Sequence, residues 1–539
     1  MSRPLMRNFI PQEFTLKLLF GALCFGLSGA ARGLDEGLIA STVSEDSFIR
    51  QFHLDAAGLS ATEKANRLSN VTSMVHMGSL PGAILGFLLC EWIGILWTMR
   101  ELCVLWMVGL VVFLTSHNLA DVYVGRFFMG MGIGQAGVIA PVYLAEISPP
   151  RIRGMMVCIY GMSEYLGIFI GYFAIWGASI HISNSSSSQW IVPQSVQAMW
   201  AVLLFFLSLF CEESPRFLCK KGSPEKASEV FARLWGLHPM DPAIQTEMRN
   251  IRKQLQEEEE TTGRYLIASL KELFTQKANL RRIIFIFCLQ LLSQWSGPNS
   301  VTTYAPELFG LFGISGQDEK LFATAIFGLV KLISALICAV LLIDRLGRKK
   351  TLFIGITLQI VSLFYDSIFL TVYSSMSTSS KHASSTIHAA VGSIVFMYFI
   401  GIGWAMGWNS IQYLVTAETF PLRVRLCGAS LATCIHFGNR IGTSKATPYL
   451  LLSSGLTPAG TFWFFTGVSI IGLLFAIFFL PETSGKGLEE TNQLYAGLPA
   501  LQSMSSATGA STSTDASLSL HSDNTGRITF QLKSNTLAH

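Results

Sequence analysis

Three short stretches carry residue types that could do chemistry. The first, "ARGLDEGLIAST" (Ala31 to Thr42), puts Arg32, Asp35 and Glu36 in or at the end of an apolar run. Ionisable side chains at membrane depth are costly and mark function by default. The alternative is that the run ends early and these residues form its outer rim. The second, "CLQLLSQWSGPNSVTTY", holds Gln290 and Gln294 four residues apart, hence on one helical face, with Asn299 just beyond Gly297 and Pro298. Amides both donate to and accept from hydroxyls, so such a face suits a sugar or polyol. The alternative is that these amides hold helices together in lipid. The third, "CIHFGNRIGTSKATP", holds His436, Asn439 and Arg440. Arg440 either pairs with a carboxylate such as Glu164 or faces an acidic cargo.

These groups sit in a chain of 539 residues, 50% hydrophobic and only 13% charged, with a mean hydropathy of +0.46. The apolar residues come in blocks, which makes a membrane protein the first reading. A net charge of +4 without a compact basic patch argues against nucleic acid. No nucleophile–base pair, metal-ligand cluster or phosphate loop stands out, so no enzyme, metal or cofactor is expected. "GMGIG" (Gly130 to Gly134) has no strand before it and no Gly-Lys-Ser/Thr after it, so it reads as helix packing. Ten cysteines lie scattered singly, as small apolar side chains would. The N-terminus shows no removable signal peptide.

Twelve apolar runs approach the length of about twenty residues that crosses a bilayer. They lie near 17–40, 71–90, 99–116, 121–145, 155–177, 196–211, 281–305, 321–343, 351–372, 390–412, 427–450 and 459–480. The expected fold is an all-α membrane protein of twelve transmembrane helices in two six-helix halves, 17–211 and 281–480, with a cytoplasmic helical linker over 212–280. Lys and Arg concentrate in alternate loops, which puts the N-terminus (1–16), the linker and the tail (481–539, disordered after about 497) in the cytoplasm. Arg50, Lys64 and Arg67 in the first outer loop go against that sum. The sequons at Asn70 and Asn184 fall outside, as glycosylation requires. In the linker, "SPEKASEVFARLWG" and "DPAIQTEMRNIRKQLQEEEE" carry helix-start signals, and Glu257 to Glu260 reads as a solvated face.

The halves echo each other. "PVYLAEISPPRIRG" and "YLVTAETFPLRVRLCG" each place a Glu, then Pro, then two Arg one residue apart; "EESPRFL" and "LPETSGKGLEE" follow spans six and twelve. Duplicated halves are a transporter architecture with the site at mid-membrane. With "RFFMGMGIG", "QWSGPNSVTTYAPELF" and "DRLGRKK", these motifs resemble the sugar porter branch of the major facilitator superfamily, in a fungal style. They run in order over about 33–490.

The resemblance implies alternating-access uptake of a monosaccharide or polyol, often with protons, by a multi-pass protein expected to be monomeric and in the plasma membrane. It implies that Asp35 exchanges a proton while facing Arg126. It also implies binding by Gln290, Gln294, Asn299, Trp408, Asn409 and Asn439, and a cytoplasmic gate of Glu146, Arg151, Arg153, Asp344, Arg348, Glu418, Arg423 and Arg425.

The departures are specific. Ser293 replaces one of a Gln pair, Gly161 a Gln on span five, and His436 an Asn. Span ten has "NSIQY" where the family has a proline-containing break, so it is expected to bend less. Trp404 and Trp408 either line the cavity or face lipid. "GFLLCEWIGILWTMREL" aligns with "VLLIDRLGRKKTLF" but puts Ile95 and Leu96 where the second half has Arg348 and Lys349. The first half therefore looks short of the cationic part of its gate. A sugar acid, cyclitol acid or secondary metabolite is the rival cargo. A non-transporting membrane sugar sensor is the rival class.

Overall fold

The computed structural model describes residues 15–55, 59–149, 152–262, 266–376, 384–420, 424–452 and 455–482; within these it leaves out the side chains of 254, 257–262, 266–270, 344, 410, 417 and 418. Among the described residues, ten helices are long and apolar enough to cross a membrane: Leu16–Thr42, Ala61–Ile93, Ile95–Leu114, Leu119–Ile147, Arg153–His181, Ser188–Ser208, Gln317–Leu342, Arg348–Ser375, Ser384–Thr416 and Thr457–Phe479. We number these spans 1–6, 8–10 and 12. Span 7 runs as Lys277–Trp295, Pro298–Thr303 and Ala305–Leu311, and span 11 as Arg425–Leu451. These two fall short on apolarity for visible reasons. Span 7 breaks at Gly297, whose φ of 101° only glycine adopts readily. Span 11 carries His436, Arg440 and Lys445. The fold is the twelve-helix arrangement expected.

Span 1 decides where the charges lie. Its second part, Gly29–Thr42, is buried at every position, so Arg32, Asp35 and Glu36 are not a rim. It reaches this depth by close backbone packing: a Cβ on Gly33 would fall 1.8 Å from the Glu164 carbonyl oxygen of span 5. "GMGIG" plays the packing role read from its sequence. Cβ atoms on Gly130 and Gly134 would stand 2.0 and 2.1 Å from the carbonyl oxygens of Val75 and Ser79 in span 2.

Span 2 begins ten residues before the expected position, at Ala61. Ser60 and Glu63 form a reciprocal capping box there, a signal present in the sequence as "SATE". Asn70 consequently lies inside a helix rather than in a loop, whereas Asn184 is exposed between spans 5 and 6. Of the basic residues in the first loop, Lys64 pairs with Asp55, Arg67 donates to the His53 carbonyl at 2.8 Å, and Arg50 donates to the Asn184 carbonyl.

The turns between spans 2 and 3 and between spans 8 and 9 are near copies. Each is a single glycine, Gly94 at φ 92°, ψ 169° and Gly347 at φ 88°, ψ 165°. Each is followed by a helix start whose amides a distant carboxylate accepts. Glu213 takes the N–H of Ile95 at 3.2 Å, and Glu482 takes those of Arg348 and Lys349 at 3.0 and 3.1 Å. The first turn does not lack cations. They come from the helix Pro215–Lys220 and the residue after it: Lys220 pairs with Glu91, and Lys221 donates to the Trp92 carbonyl at 3.3 Å. We call this side, with both turns, the basic end.

After span 6, the helices Pro224–Trp235 and Pro242–Thr262 form where the sequence predicts them, followed by Leu266–Thr275. Trp235 anchors the first of these to span 4, its indole N–H donating to the Ile147 carbonyl at 2.9 Å. The sequence's tail, from 483 onward, and residues 1–14 lie outside the described residues.

The glycine turns yield a prediction. A Cβ at Gly94 would face φ strain and stand 2.7 Å from Glu213. Gly94→Ala should destabilise the protein by about 1–3 kcal/mol, and Gly347→Ala by a similar amount, read as lowered thermal unfolding midpoints in detergent. An unchanged midpoint in both would remove the proposed strain.

Candidate functional site

Asp35 and Arg126 meet as expected. The guanidinium grips the carboxylate two-handed, Nη1–Oδ1 at 3.0 Å and Nη2–Oδ2 at 3.1 Å, with both side chains buried. Arg126 also donates from Nε to the Val71 carbonyl at 2.7 Å and lies over the Phe113 ring. The planar fork is thus fixed by three hydrogen bonds and an aromatic face.

Beside this pair sits a second, larger charge cluster. Glu36 accepts from Arg32 Nε at 3.0 Å and from Arg440 Nη2 at 2.5 Å. Arg32 reaches on to Glu164 at 3.3 Å. Two carboxylates and two guanidiniums thus alternate across spans 1, 5 and 11. Arg440 pairs with a carboxylate, as one of the two readings held, but the partner is Glu36 rather than Glu164. Removing any member would leave a buried charge uncompensated.

From Arg440 a chain of amides crosses the centre. Arg440 Nη1 donates to Asn299 Oδ1 at 2.8 Å, and Asn299 donates to Gln294 Oε1. Gln294 Nε2 donates to Gln412 Oε1 at 3.2 Å, and Gln412 to Asn409 Oδ1 at 3.4 Å. Asn409 finally donates to the Gly161 carbonyl at 3.2 Å. The glutamine missing from span 5 is therefore answered by an amide arriving from span 10. His436 Nδ1 lies 3.0 Å from Gln290 Oε1 and 3.2 Å from Gln294 Nε2. Span 10 passes this point through a widened π-helical turn, Ala405–Asn409. That turn re-registers the helix in place of the missing prolines.

Two expected binding residues do not join this network. Trp408 is fully buried, with its ring edge set so that a Cβ on Gly472 of span 12 would stand 3.0 Å away. Asn439 is tied to Ile435 and Trp295, donating to the carbonyl of the first at 2.9 Å and accepting from the indole of the second at 3.2 Å.

Four participants were not singled out from sequence: Gln412, Tyr413, His76 and Lys331. Tyr413 accepts from Arg32, and His76 Nε2 lies 3.4 Å from Arg440 Nε. Lys331 interrupts the apolar run of span 8 and is 1% exposed. A lone cation in such a run was the available signal.

Of the expected gate, Glu146 accepts from Ser214 at 2.5 Å and Arg153 pairs with Glu247 of the linker at 3.8 Å. Arg425 is buried, as is Arg348. Arg151, Arg423 and the side chains of Asp344 and Glu418 lie outside the described residues.

A central cavity opens beside the cluster. About 20 Å3 of it is open to the centre of a water molecule, and Arg32, Gln290, Tyr413 and His436 form its inner wall. Pro141 and Thr416 line it nearer the basic end. At the opposite end the halves are tied together. Tyr304 lies 3.2 Å from Thr72 and donates to the Ser444 carbonyl at 2.9 Å, and Tyr172 donates to the Thr302 carbonyl at 2.7 Å. Ser44 donates to Glu307 at 2.6 Å, and Ser179 to Asp318 at 3.0 Å. Glu45 sits in that seam. Burial, with Asp46 and Asp318 nearby, pushes its carboxyl up to about 7.

Two pseudo-repeated six-helix halves around a central cavity and a buried polar network define a transporter of the major facilitator type. The family description "Sugar (and other) transporter" matches residues 21–495, and the chain belongs to that family. Among curated proteins it is similar to a quinate permease of Neurospora terricola, 28% identical over 471 residues and 86% of each chain. A quinate permease of Emericella nidulans is 27% identical over 467 residues, covering 86% of this chain and 85% of its own. Among solved structures, the proton:xylose symporter XylE bound to 6-bromo-6-deoxy-D-glucose superposes with a TM-score of 0.74 at 22% identity, covering 89% of this chain and 99% of that one. A partially occluded, inward-open form of XylE from E. coli gives 0.70 at 20%, covering 88% and 100%.

Two outcomes are expected. Arg440→Gln and Glu36→Gln should each cost about 3–5 kcal/mol of stability, while the double variant loses less than the sum, measured by unfolding in detergent. Additive losses would deny the pairing. For Glu45, a carboxyl raised in the closed seam stabilises closure only while protonated. That contribution is complete below the ordinary value of 4.5 and is lost as pH rises through about 7. Spin labels at Arg50 and Glu319 should report more separation of the seam across that window, and Glu45→Gln should flatten the response.

Proposed function

We propose that this transporter carries a polyhydroxylated small molecule of monosaccharide size that bears a carboxylate, in symport with protons. The observation that carries this reading is the charge count at the centre. Among the described residues there, Asp35, Glu36 and Glu164 are the carboxylates, while Arg32, Arg126, Arg440 and Lys331 are the basic side chains. Away from water an uncompensated cation is costly, and an anionic cargo offsets that cost. The amides of Gln290, Gln294, Asn299, Asn409 and Gln412 suit the hydroxyls of such a cargo. Permeases of quinate, a cyclitol acid, among the relatives point the same way. A neutral monosaccharide or polyol is the second reading, supported by the structural likeness to a xylose symporter.

The mechanism is rocking of the half 17–211 against the half 281–480 about the central site, with the basic end in the cytosol. The cavity on that side and the ties at the other correspond to a state facing inward. Asp35 gives up or takes a proton as its contact with Arg126 and its access to water change between states. The cytoplasmic charges, Glu146, Arg151, Arg153, Asp344, Arg348, Glu418, Arg423 and Arg425, bias the equilibrium between those states. A bias of a few kcal/mol governs it. Uptake across the plasma membrane by a single chain is the working form.

Transporter-null cells expressing the chain should accumulate labelled quinate in an acidic medium, and xylose or inositol poorly. Asp35→Asn should abolish accumulation against a gradient while leaving downhill exchange. Carriage of neutral sugars alone would refute the acid reading; unimpaired accumulation by Asp35→Asn would refute the proton site.

A further inference from the structure

The cations at the centre are not equivalent. Arg126 is satisfied two-handed by Asp35, and Arg32 and Arg440 share Glu36 and Glu164. Those groups cancel among themselves, three carboxylates against three guanidiniums. The fourth cation, Lys331, forms no ion pair among the described residues. Its ammonium donates to Thr302 Oγ1 of span 7 at 2.6 Å and otherwise faces two rings, Tyr165 of span 5 at 5.1 Å and Phe327 at 5.0 Å. An ammonium has three donors, and this arrangement uses one in a conventional hydrogen bond. The charged groups acting on it are Glu36 of span 1, Glu164 of span 5 and Arg440 of span 11. Span 10 comes close at Gly401, where a Cβ would stand 3.0 Å from the lysine's Cγ.

We propose that Lys331 receives the cargo's carboxylate and binds a proton with it, so that each anion crosses with a proton on Nζ. This rests on the acid cargo proposed above and names the group that recognises it. The physical reason is reciprocal. A lysine with no carboxylate partner, away from water, disfavours its ammonium form, and an arriving carboxylate favours it. Anion and proton therefore strengthen one another's binding at one atom. The proton is taken from the medium on the side where the anion enters and is given up where the anion leaves. The guanidiniums cannot take this role, since arginine stays protonated and each is already occupied by a carboxylate. Asp35 remains a separate proton site, paired with Arg126. Lysine's flexible stem matters too, because the cargo must be let go again.

The test uses the full chain and quinate as the probe. Lys331→Met should raise KM for quinate uptake by about tenfold or more. Lys331→Arg, charged at every working pH, should keep the affinity within a few-fold but lose the wild-type dependence of KM on outside pH. Wild-type KM and pH dependence in both variants would overturn the assignment. Should either variant fail to reach the membrane, the unaltered protein still decides. Adding quinate to it, purified in detergent in weak buffer, should draw protons from solution, and binding without proton uptake would overturn the proposal. If the wild type carries xylose or inositol but no quinate, it is the acid cargo that fails. If it carries quinate and Lys331→Met does so unchanged, the lysine assignment alone fails.

Discussion

Charge buried in a membrane protein must be cancelled, and that constraint organises the centre of this molecule. Arg32, Glu36, Arg440 and Glu164 alternate in sign, and each reaches a different helix from its own or a turn away. The bonds they make link spans 1, 5 and 11. None of the four could stay charged there alone. The cost of separating them makes the central arrangement discrete, a natural basis for two distinct states of a transporter.

The amide chain from Asn299 to Gly161 extends the same logic to polar groups without charge. Each amide has a partner supplied by another helix, and a hydroxyl-rich cargo could exchange for those partners one by one. Where the sequence departs from the sugar porter pattern, the structure closes the gap locally. Asn409 bonds the Gly161 backbone, and His436 sits between Gln290 and Gln294. Such repairs change what the cavity can recognise while leaving its frame alone.

Much of the frame was legible in the sequence. Apolar blocks mark ten spans by length and composition. Spans 7 and 11 were also readable as apolar runs, although their polar and charged residues dilute the apolar signal. The amides of span 7 were likewise readable as types at fixed spacing, whereas the Asp35–Arg126 pair was readable only through the family resemblance. What stayed hidden were meetings between distant positions. Arg440 with Glu36, Asn409 with Gly161, and Lys220 with Glu91 each join segments more than a hundred residues apart, and a spacing rule within one helix says nothing about them. The apparent loss of cations near Gly94 was of this kind, since the lysines come from the segment after span 6. Trp408 and Asn439 meet partners of another kind. Their types suit sugar binding, but one packs on span 12 and the other is held by Trp295. The early start of span 2 was readable, since Ser60 and Glu63 form its cap.

The central claim is that the buried cluster beside the cavity has one basic side chain, Lys331, more than its carboxylates pair with, and so favours an anion that arrives with a proton. The most direct measurement is ligand-induced stabilisation of the purified protein, comparing quinate with xylose and inositol at equal concentrations. A ligand that binds the folded state raises the unfolding midpoint in proportion to its occupancy. The account predicts a rise with quinate, larger at lower pH, and little with the neutral polyols. A rise with the neutral polyols and none with quinate would contradict it.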